Sequence, residues 1–396
     1  MSSPEIPEWI DDELQKMRAT GLFRSRRTFT PVVDGRCILD GRTLVNFSSN
    51  DYLNLAHDRR VISAAVTALP EMGVGAQASA LVSGRTEWHA RLERQIANFE
   101  GTEEALLFPS GYAANLGVVS AFAKEEDTIF CDRLNHASLI DGCRLSGARL
   151  RVYRHDKLDK LKRELEKAGG AGKKIIVTDS LFSMDGIPAP LISLCDLAEI
   201  HGASLIIDEA HATGVYGASG RGLAEELGVE DRVTIRIGTL SKAVGTMGGF
   251  VAGSCSMIDW LWNRVRTQIY STALPPAICA AACEALEIIQ AEPDRRRLLH
   301  SNADFLRNEL QKMPTIDIAG SSGPIIPLIL KDPELTMNIA EDLQTAGFLV
   351  GAIRPPTVPE GTSRLRISIT SAHQRDDLER FLKALHHSLA RNSELR

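Results

Sequence analysis

Two stretches decide how this chain is read: Ser204-Leu205-Ile206-Ile207-Asp208-Glu209-Ala210-His211, and further on Val233-Thr234-Ile235-Arg236-Ile237-Gly238-Thr239-Leu240-Ser241-Lys242. Each is a short run rich in apolar and β-branched residues that stops at side chains able to do chemistry. Short apolar runs of this kind fit strands buried on both faces of a parallel sheet. In such sheets ligands sit in the crevice beyond the carboxyl ends of the strands. Asp208 and Lys242 are therefore both expected at that crevice.

Similar runs recur in both directions. Ala105–Phe108, Thr128–Cys131, Leu150–Tyr153, Ile175–Thr178 and Phe250–Ala252 read as strands, with helical patterns at Arg85–Glu100, Asp156–Ala168 and Leu191–His201. Strands alternating with helices predict an α/β fold, its mostly parallel sheet covered on both faces. Upstream, residues 8–22 read as an amphipathic helix, and Val32–Cys37 with Thr43–Phe47 as a hairpin around Asp40-Gly41. Past residue 290 a charged helix (Asp294–Lys312) leads to strands near Ile325–Leu330, Leu349–Ile353 and Leu365–Ile369, then a last helix, Arg375–Leu389. A chain of 396 residues exceeds what one core usually organises. The expected division is an N-terminal helix and hairpin segment (1–50), a large domain (51–290) and a smaller α+β domain (291–396).

Composition narrows the function. Hydrophobic residues at 44% and charged residues at 24% are ordinary for a soluble enzyme. A net charge of −6 offers no overall basic field for nucleic acid or an anionic membrane. The seven cysteines form no CxxC, which argues against a zinc site and fits a reducing compartment. The start of the chain carries Asp11, Asp12 and Glu13, unlike a signal peptide, and no apolar run approaches a membrane span. Cytoplasm is the expected location.

Four features then line up along the chain. Ser110-Gly111-Tyr112 follows the run Ala105–Phe108 where a strand should pass into a helix, the place where backbone N–H groups bind a phosphate. His136 offers a flat ring that can stack on an aromatic ligand. Asp208 and His211 could hold a ring nitrogen and a phenolic oxygen, and Lys242 lies between hydroxyl and small residues. Taken singly, each has an ordinary structural explanation: a capping turn, a loop histidine, a capping aspartate, a solvated lysine. In this order they match what pyridoxal 5′-phosphate (PLP) requires: a lysine for its aldehyde, an acid for its pyridine nitrogen, a cradle for its phosphate and a stacking ring. A serine hydrolase is a poor fit, because neither SxxK nor GxSxG occurs. The glycines of Gly214–Gly222 have the wrong spacing for a dinucleotide fingerprint and read as a flexible active-site loop.

The motifs NFSSNDYL (46–53), FPSGYAAN (108–115), the 132–142 region, the segment around Ser183-Met184-Asp185-Gly186, DEAHATG (208–214) and GTLSKAVG (238–245) resemble the α-oxoamine synthase family of fold-type I PLP enzymes. That family condenses an amino acid with an acyl thioester and releases CO2, as homodimers with active sites at the subunit interface. Residues 353–373 resemble most the branch that joins L-alanine to pimeloyl-CoA or a pimeloyl carrier protein on the way to biotin. Other branches take glycine with acetyl-CoA or succinyl-CoA, take serine with palmitoyl thioester, or make long-chain acyl aminoketones. A fold that has lost catalysis and only binds is a reading of a different class, opposed by the intact Lys242, Asp208, His211, His136 and Arg366. The resemblance implies that Gly111, Tyr112, Ser183, His211 and Thr239 bind PLP beside Ser110 and Asp208. His136 would stack on the ring, Lys242 would carry it, and Ser271 and Thr272 would reach the partner subunit's phosphate. It further implies that Arg24, Asn50 and Thr357 contact substrate and that Arg366 holds the amino-acid carboxylate. One departure stands out: Gln77, Ala78 and Ala80 occupy a loop (Gly73–Gly84) in which relatives usually carry glycines.

Overall fold

The computed structural model describes residues 7–170, 172–313 and 316–394. Its N-terminal helix, Glu8–Ala19, is followed by strands β1 (Thr30–Val32), β2 (Arg36–Leu39) and β3 (Arg42–Phe47). The central strands are β4 (Glu104–Phe108), β5 (Thr128–Asp132), β6 (Arg149–Tyr153), β7 (Lys174–Asp179), β8 (Ala203–Asp208), β9 (Ile235–Thr239) and β10 (Gly249–Gly253). Strands β11 (Ile325–Lys331), β12 (Phe348–Ile353) and β13 (Ser363–Ser368) precede the last helix, Arg375–Glu394.

Strands β4 to β10 form one seven-stranded sheet in the order β4-β10-β9-β8-β7-β5-β6. Within it β10 runs antiparallel to both neighbours, while β5 to β9 pair in parallel. The reason the strand runs lack alternation is now visible. Ile175 and Val177 enter a core on one face with Ala114, Val118 and Leu139, whereas Ile176 enters the opposite core with Leu191, Leu194 and Leu205. Both faces are dry, so successive positions must all be apolar.

The six-stranded second sheet has the order β1-β2-β3-β12-β13-β11. The N-terminal hairpin and the C-terminal strands, far apart in sequence, thus share one sheet through the parallel pairing of Val45 with Phe348 and Phe47 with Val350. Two strand boundaries differ from expectation. The arm expected over Val32–Cys37 is divided by a turn at Asp34-Gly35, whose positive φ angles of 61° and 66° place β1 and β2 on either side of it. Strand β9 begins at Ile235, because a tight turn over Glu230–Arg232 takes up the chain before it. The expected turn at Asp40-Gly41 is present, with φ of 50° and 75°, as two-residue hairpin turns of this handedness require.

Phe47 joins the second sheet to the last helix. Its ring stacks on His373 at 4.3 Å and lies 4.5 Å from Phe381, with no solvent exposure. Phe47→Ala is expected to cost about 3–5 kcal/mol of stability by opening this cavity, read from the midpoint of denaturant unfolding.

Candidate active site

Strands β7 and β8 end level with one another, so Asp179 stands opposite Asp208 at the carboxyl edge of the sheet. Asp208 is buried, and its carboxylate accepts hydrogen bonds from the Asn115 side-chain amide at 2.6 Å and from the Ala210 N–H at 2.7 Å. The Asp179 carboxylate accepts from the backbone N–H of His136 at 2.7 Å. Burial, and then the charge of Asp208, push the Asp179 carboxyl well above its usual range. Lys242 follows the end of β9 and faces both acids. Burial lowers its amine to about 8, against the upward pull of Asp208 and Asp179. An amine so tuned is available as a neutral nucleophile and base far below the ordinary lysine range.

The helix start that the sequence offers for a phosphate presents open backbone N–H groups. Ser110 caps the helix Gly111–Phe122, its hydroxyl accepting from the Ala113 N–H at 3.1 Å. The N–H groups of Gly111 and Tyr112 have no acceptor among the described residues and open at the helix start. A Cβ at Gly111 would come within 3.1 Å of the Thr239 hydroxyl, so glycine keeps that approach clear. Thr239 is fixed by donating to the Gly248 carbonyl at 2.9 Å. Tyr112 bonds through its hydroxyl to Asp141, and its ring meets His136 edge-on at 6.3 Å between centroids.

A second cluster faces the same crevice. The Nδ1 atom of buried His211 lies 2.7 Å from the Tyr52 hydroxyl. Burial, and then the positive charges of Lys242 and Arg366, hold the His211 imidazole well below its usual pKa, in the neutral form. Arg366 donates to the Ser183 carbonyl at 2.7 Å, the Asn50 side-chain oxygen at 3.2 Å and the Ser368 hydroxyl at 2.7 Å. Arg24 donates to the Thr357 hydroxyl at 3.0 Å, bringing those two together. Ser271 and Thr272 stand apart from this cluster. Thr272 bridges to Ser79, and both residues line a small cavity with Ala80 and Pro109.

The glycine-rich loop is bound to the same segment. Ala273 N–H donates to Ala78 O at 3.0 Å, and Gln77 takes a positive φ of 66° despite its side chain. The stretch Gly214–Gly222 departs from the expected flexible loop. Gly214 N–H donates to Gly220 O at 2.6 Å, and the buried Glu209 carboxylate accepts from the N–H groups of Leu223 and Ala224. Its glycines serve positive φ angles in a tightly bonded turn, which their composition alone does not distinguish from mobility.

Three site residues escaped the sequence reading. Tyr52 and Asn115 lie inside the motifs quoted above but show their role only through partners distant in sequence. Asp179 carried the same signal as Asp208, an acid closing an apolar run, and could have been found by it.

The residues fit PLP: two open N–H groups for the phosphate, a buried acid facing a depressed amine, and an imidazole ring at the edge of the crevice. The comparisons agree. The family model for class I and II aminotransferases matches residues 42–385. The chain belongs to that family. It is 46% identical to 8-amino-7-oxononanoate synthase 2 of Bacillus subtilis, covering 96% of this chain and 97% of that protein. It is 45% identical to 8-amino-7-oxononanoate synthase of Geobacter sulfurreducens, covering 95% and 96%. A solved serine palmitoyltransferase carrying PLP superposes with a TM-score of 0.90 at 29% identity, over 96% of each chain. Within the aminotransferase family this chain is a PLP-dependent acyltransferase of the α-oxoamine synthase group.

Two outcomes check the geometry. With its amine near 8, Lys242 is about one-tenth neutral at pH 7 and about nine-tenths neutral at pH 9. The rate at which apoenzyme captures PLP should therefore rise through that window and level off above it, followed by the absorbance of lysine-bound cofactor. Asn115→Ala removes a hydrogen bond to a buried carboxylate, a loss of about 1.5–3 kcal/mol, and should lower kcat at least tenfold while the chain stays folded by circular dichroism.

Proposed function

We propose that this enzyme condenses L-alanine with a pimeloyl thioester, carried on CoA or on a carrier protein, to give 8-amino-7-oxononanoate, CO2 and the free thiol. The observation that carries the reading is the near full-length identity to relatives bearing that name, joined to a crevice where Lys242 faces the buried Asp208.

Bound PLP supplies an electron sink for the bonds to the alanine α-carbon. Arg366 holds the alanine carboxylate, with Asn50 and the Ser183 carbonyl fixing the guanidinium. Lys242 is the residue that would hold the cofactor's aldehyde carbon, yield that place to the substrate amine and take the α-proton at Nζ. Asp208, oriented by Asn115, keeps a proton on the pyridine nitrogen. His211 would donate toward the phenolic oxygen, and Ser110, Gly111, Tyr112 and Thr239 would hold the phosphate. The carbon freed of its proton forms a bond to the thioester carbonyl while the carbon–sulfur bond breaks. His136 stabilises the oxyanion that develops. Loss of CO2 and return of a proton from Lys242 to the α-carbon would form the product, and Lys242, taking back its place on the cofactor, would free the product amine. Arg24 and Thr357 receive the acyl chain.

We further propose that residues 51–290 form the cofactor domain, and that 291–396, with the hairpin of 1–50, form the substrate-facing domain. A second copy of the chain completes the site. Supporting that dimer, Ile62, Val66 and Leu69 are exposed along one helix, and Val74 and Val82 are 82% and 79% exposed in the loop beyond it. Exposed apolar side chains repeated along one helix face, as at Ile62, Val66 and Leu69, favour an interface there. Ser271 and Thr272 then face the partner's phosphate. No helix among the described residues is long and apolar enough to cross a membrane.

The test is a spectrum of the PLP-loaded enzyme titrated separately with L-alanine, glycine and L-serine, followed by pimeloyl-CoA. Alanine alone should shift the cofactor band, and pimeloyl-CoA should then release thiol. A shift with serine or glycine instead, or indifference to pimeloyl-CoA, would falsify the substrate assignment. Arg366→Ala should raise the KM for alanine at least tenfold, since a buried charge pair is worth about 2–5 kcal/mol.

A further inference from the structure

The chain is acidic overall, at −6, yet its charge is unevenly spread. Residues 149–174 hold ten Lys and Arg against four Asp and Glu, a local net of +6, leaving the remainder of the chain at −12. Most of this segment lies at one edge of the large sheet, while Lys173, paired with Asp127, and Lys174 lead into the interior strand β7. Strand β6 is the outermost strand, and the helix Leu158–Lys167 follows it. That helix buries Leu161 and Leu165, which turns Lys160 and Arg163 outward.

Two adjoining hollows mark the face. One, of about 590 Å³, is lined by His155, Lys157, Lys160 and Arg163 together with Asp156 and Asp159. The other, of about 160 Å³, is lined by Arg133, Arg154, His155 and Pro359, above Asp132. Arg154 pairs with Asp156 at 2.7 Å. Arg133, Lys157, Lys160 and Arg163 have no carboxylate within ion-pair distance among the described residues, so their charge is presented outward.

Position gives the patch a purpose. Pro359 stands in the β12–β13 connection, two residues from Thr357, which bonds Arg24 where the acyl chain is placed. Arg133 is three residues before His136. The basic face therefore borders the entrance to the crevice. We infer that this face docks an acidic carrier protein that presents the acyl group as a thioester. The inference rests on the acyl-thioester reading above and selects the protein-borne donor. The rest of this chain carries a net charge of −12, so an acidic partner is drawn to this face and to the exposed Arg24, Arg26 and Arg27, the first of which bonds Thr357, and this orients it with its thioester at the entrance. The charges run from Arg133 across the sheet edge and along a ten-residue helix, about 15 Å in length. That span suits a protein surface better than the phosphates of one nucleotide.

The test compares two donors on the PLP-loaded enzyme and its Lys157→Glu/Lys160→Glu/Arg163→Glu variant: pimeloyl-CoA and the same acyl group on a phosphopantetheinylated carrier protein. Wild-type kcat/KM for the carrier substrate should fall as ionic strength rises to about 0.5 M. The variant should lose at least tenfold with the carrier, lose that salt dependence, and keep its cofactor spectrum and its kinetics with pimeloyl-CoA. Unchanged carrier kinetics in the variant would overturn the inference. An equal loss with both donors would also overturn it, assigning the face to CoA phosphates. Binding of single-stranded RNA in place of the carrier, lost in the variant, would assign it to nucleic acid and overturn it likewise. Direct binding of the carrier, measured by calorimetry, separates this inference from the substrate reading. Charge-dependent binding without turnover of either donor would uphold the docking face and refute the pimeloyl assignment.

Discussion

The buried carboxylate of Asp208 is the constraint around which the rest of the site is arranged. A buried charge is tolerated only with partners, and the fold supplies them from separate places: the Asn115 amide from the helix after β4, and the Ala210 N–H from its own turn. The same edge brings up Asp179 in register and Lys242 from the next strand. Three ionisable groups share one poorly solvated crevice, so their pKa values move apart. Asp179 rises, Lys242 falls to about 8, and His211 is held neutral. Such divergence lets one site hold a proton at one atom and accept it at another.

The second sheet contributes the other half of the geometry. Arg366 is carried on β13, a fully buried strand between β11 and β12, so its backbone is fixed before its guanidinium reaches Ser183 and Asn50. Asn50 comes just after β3, at the opposite end of the chain. The parallel pairing of β3 with β12 therefore positions the contact of Asn50 with Arg366 as well as a hydrophobic core. Phe47 lies in that pairing, which ties the stability of the junction to the placement of Asn50.

Much of this was legible in the sequence, for physical reasons that differ by element. The strands before Asp208 and Lys242 were readable because a sheet covered on both faces favours apolar side chains at successive positions, the buried Arg236 of β9 being held there by its ion pair with Glu230. Ser110 was readable because a small hydroxyl residue before glycine is what a helix start at a phosphate site needs. Asn115, Tyr52 and the pairing of Arg24 with Thr357 were not readable as contacts, because each depends on a partner far along the chain. The loop at Gly214–Gly222 misled because glycine serves both mobility and positive φ, and only the bonds to Glu209 and within the turn separate the two. The split at Asp34-Gly35 was hidden by the apolar residues on either side of it.

The central claim is that the cofactor is bound covalently at Lys242. Borohydride reduction of the PLP-loaded enzyme, followed by proteolysis and mass spectrometry, tests it directly. The account predicts a single phosphopyridoxyl-modified peptide, with the modification on Lys242. Modification confined to any other lysine, or an unmodified Lys242 in fully loaded enzyme, would contradict it.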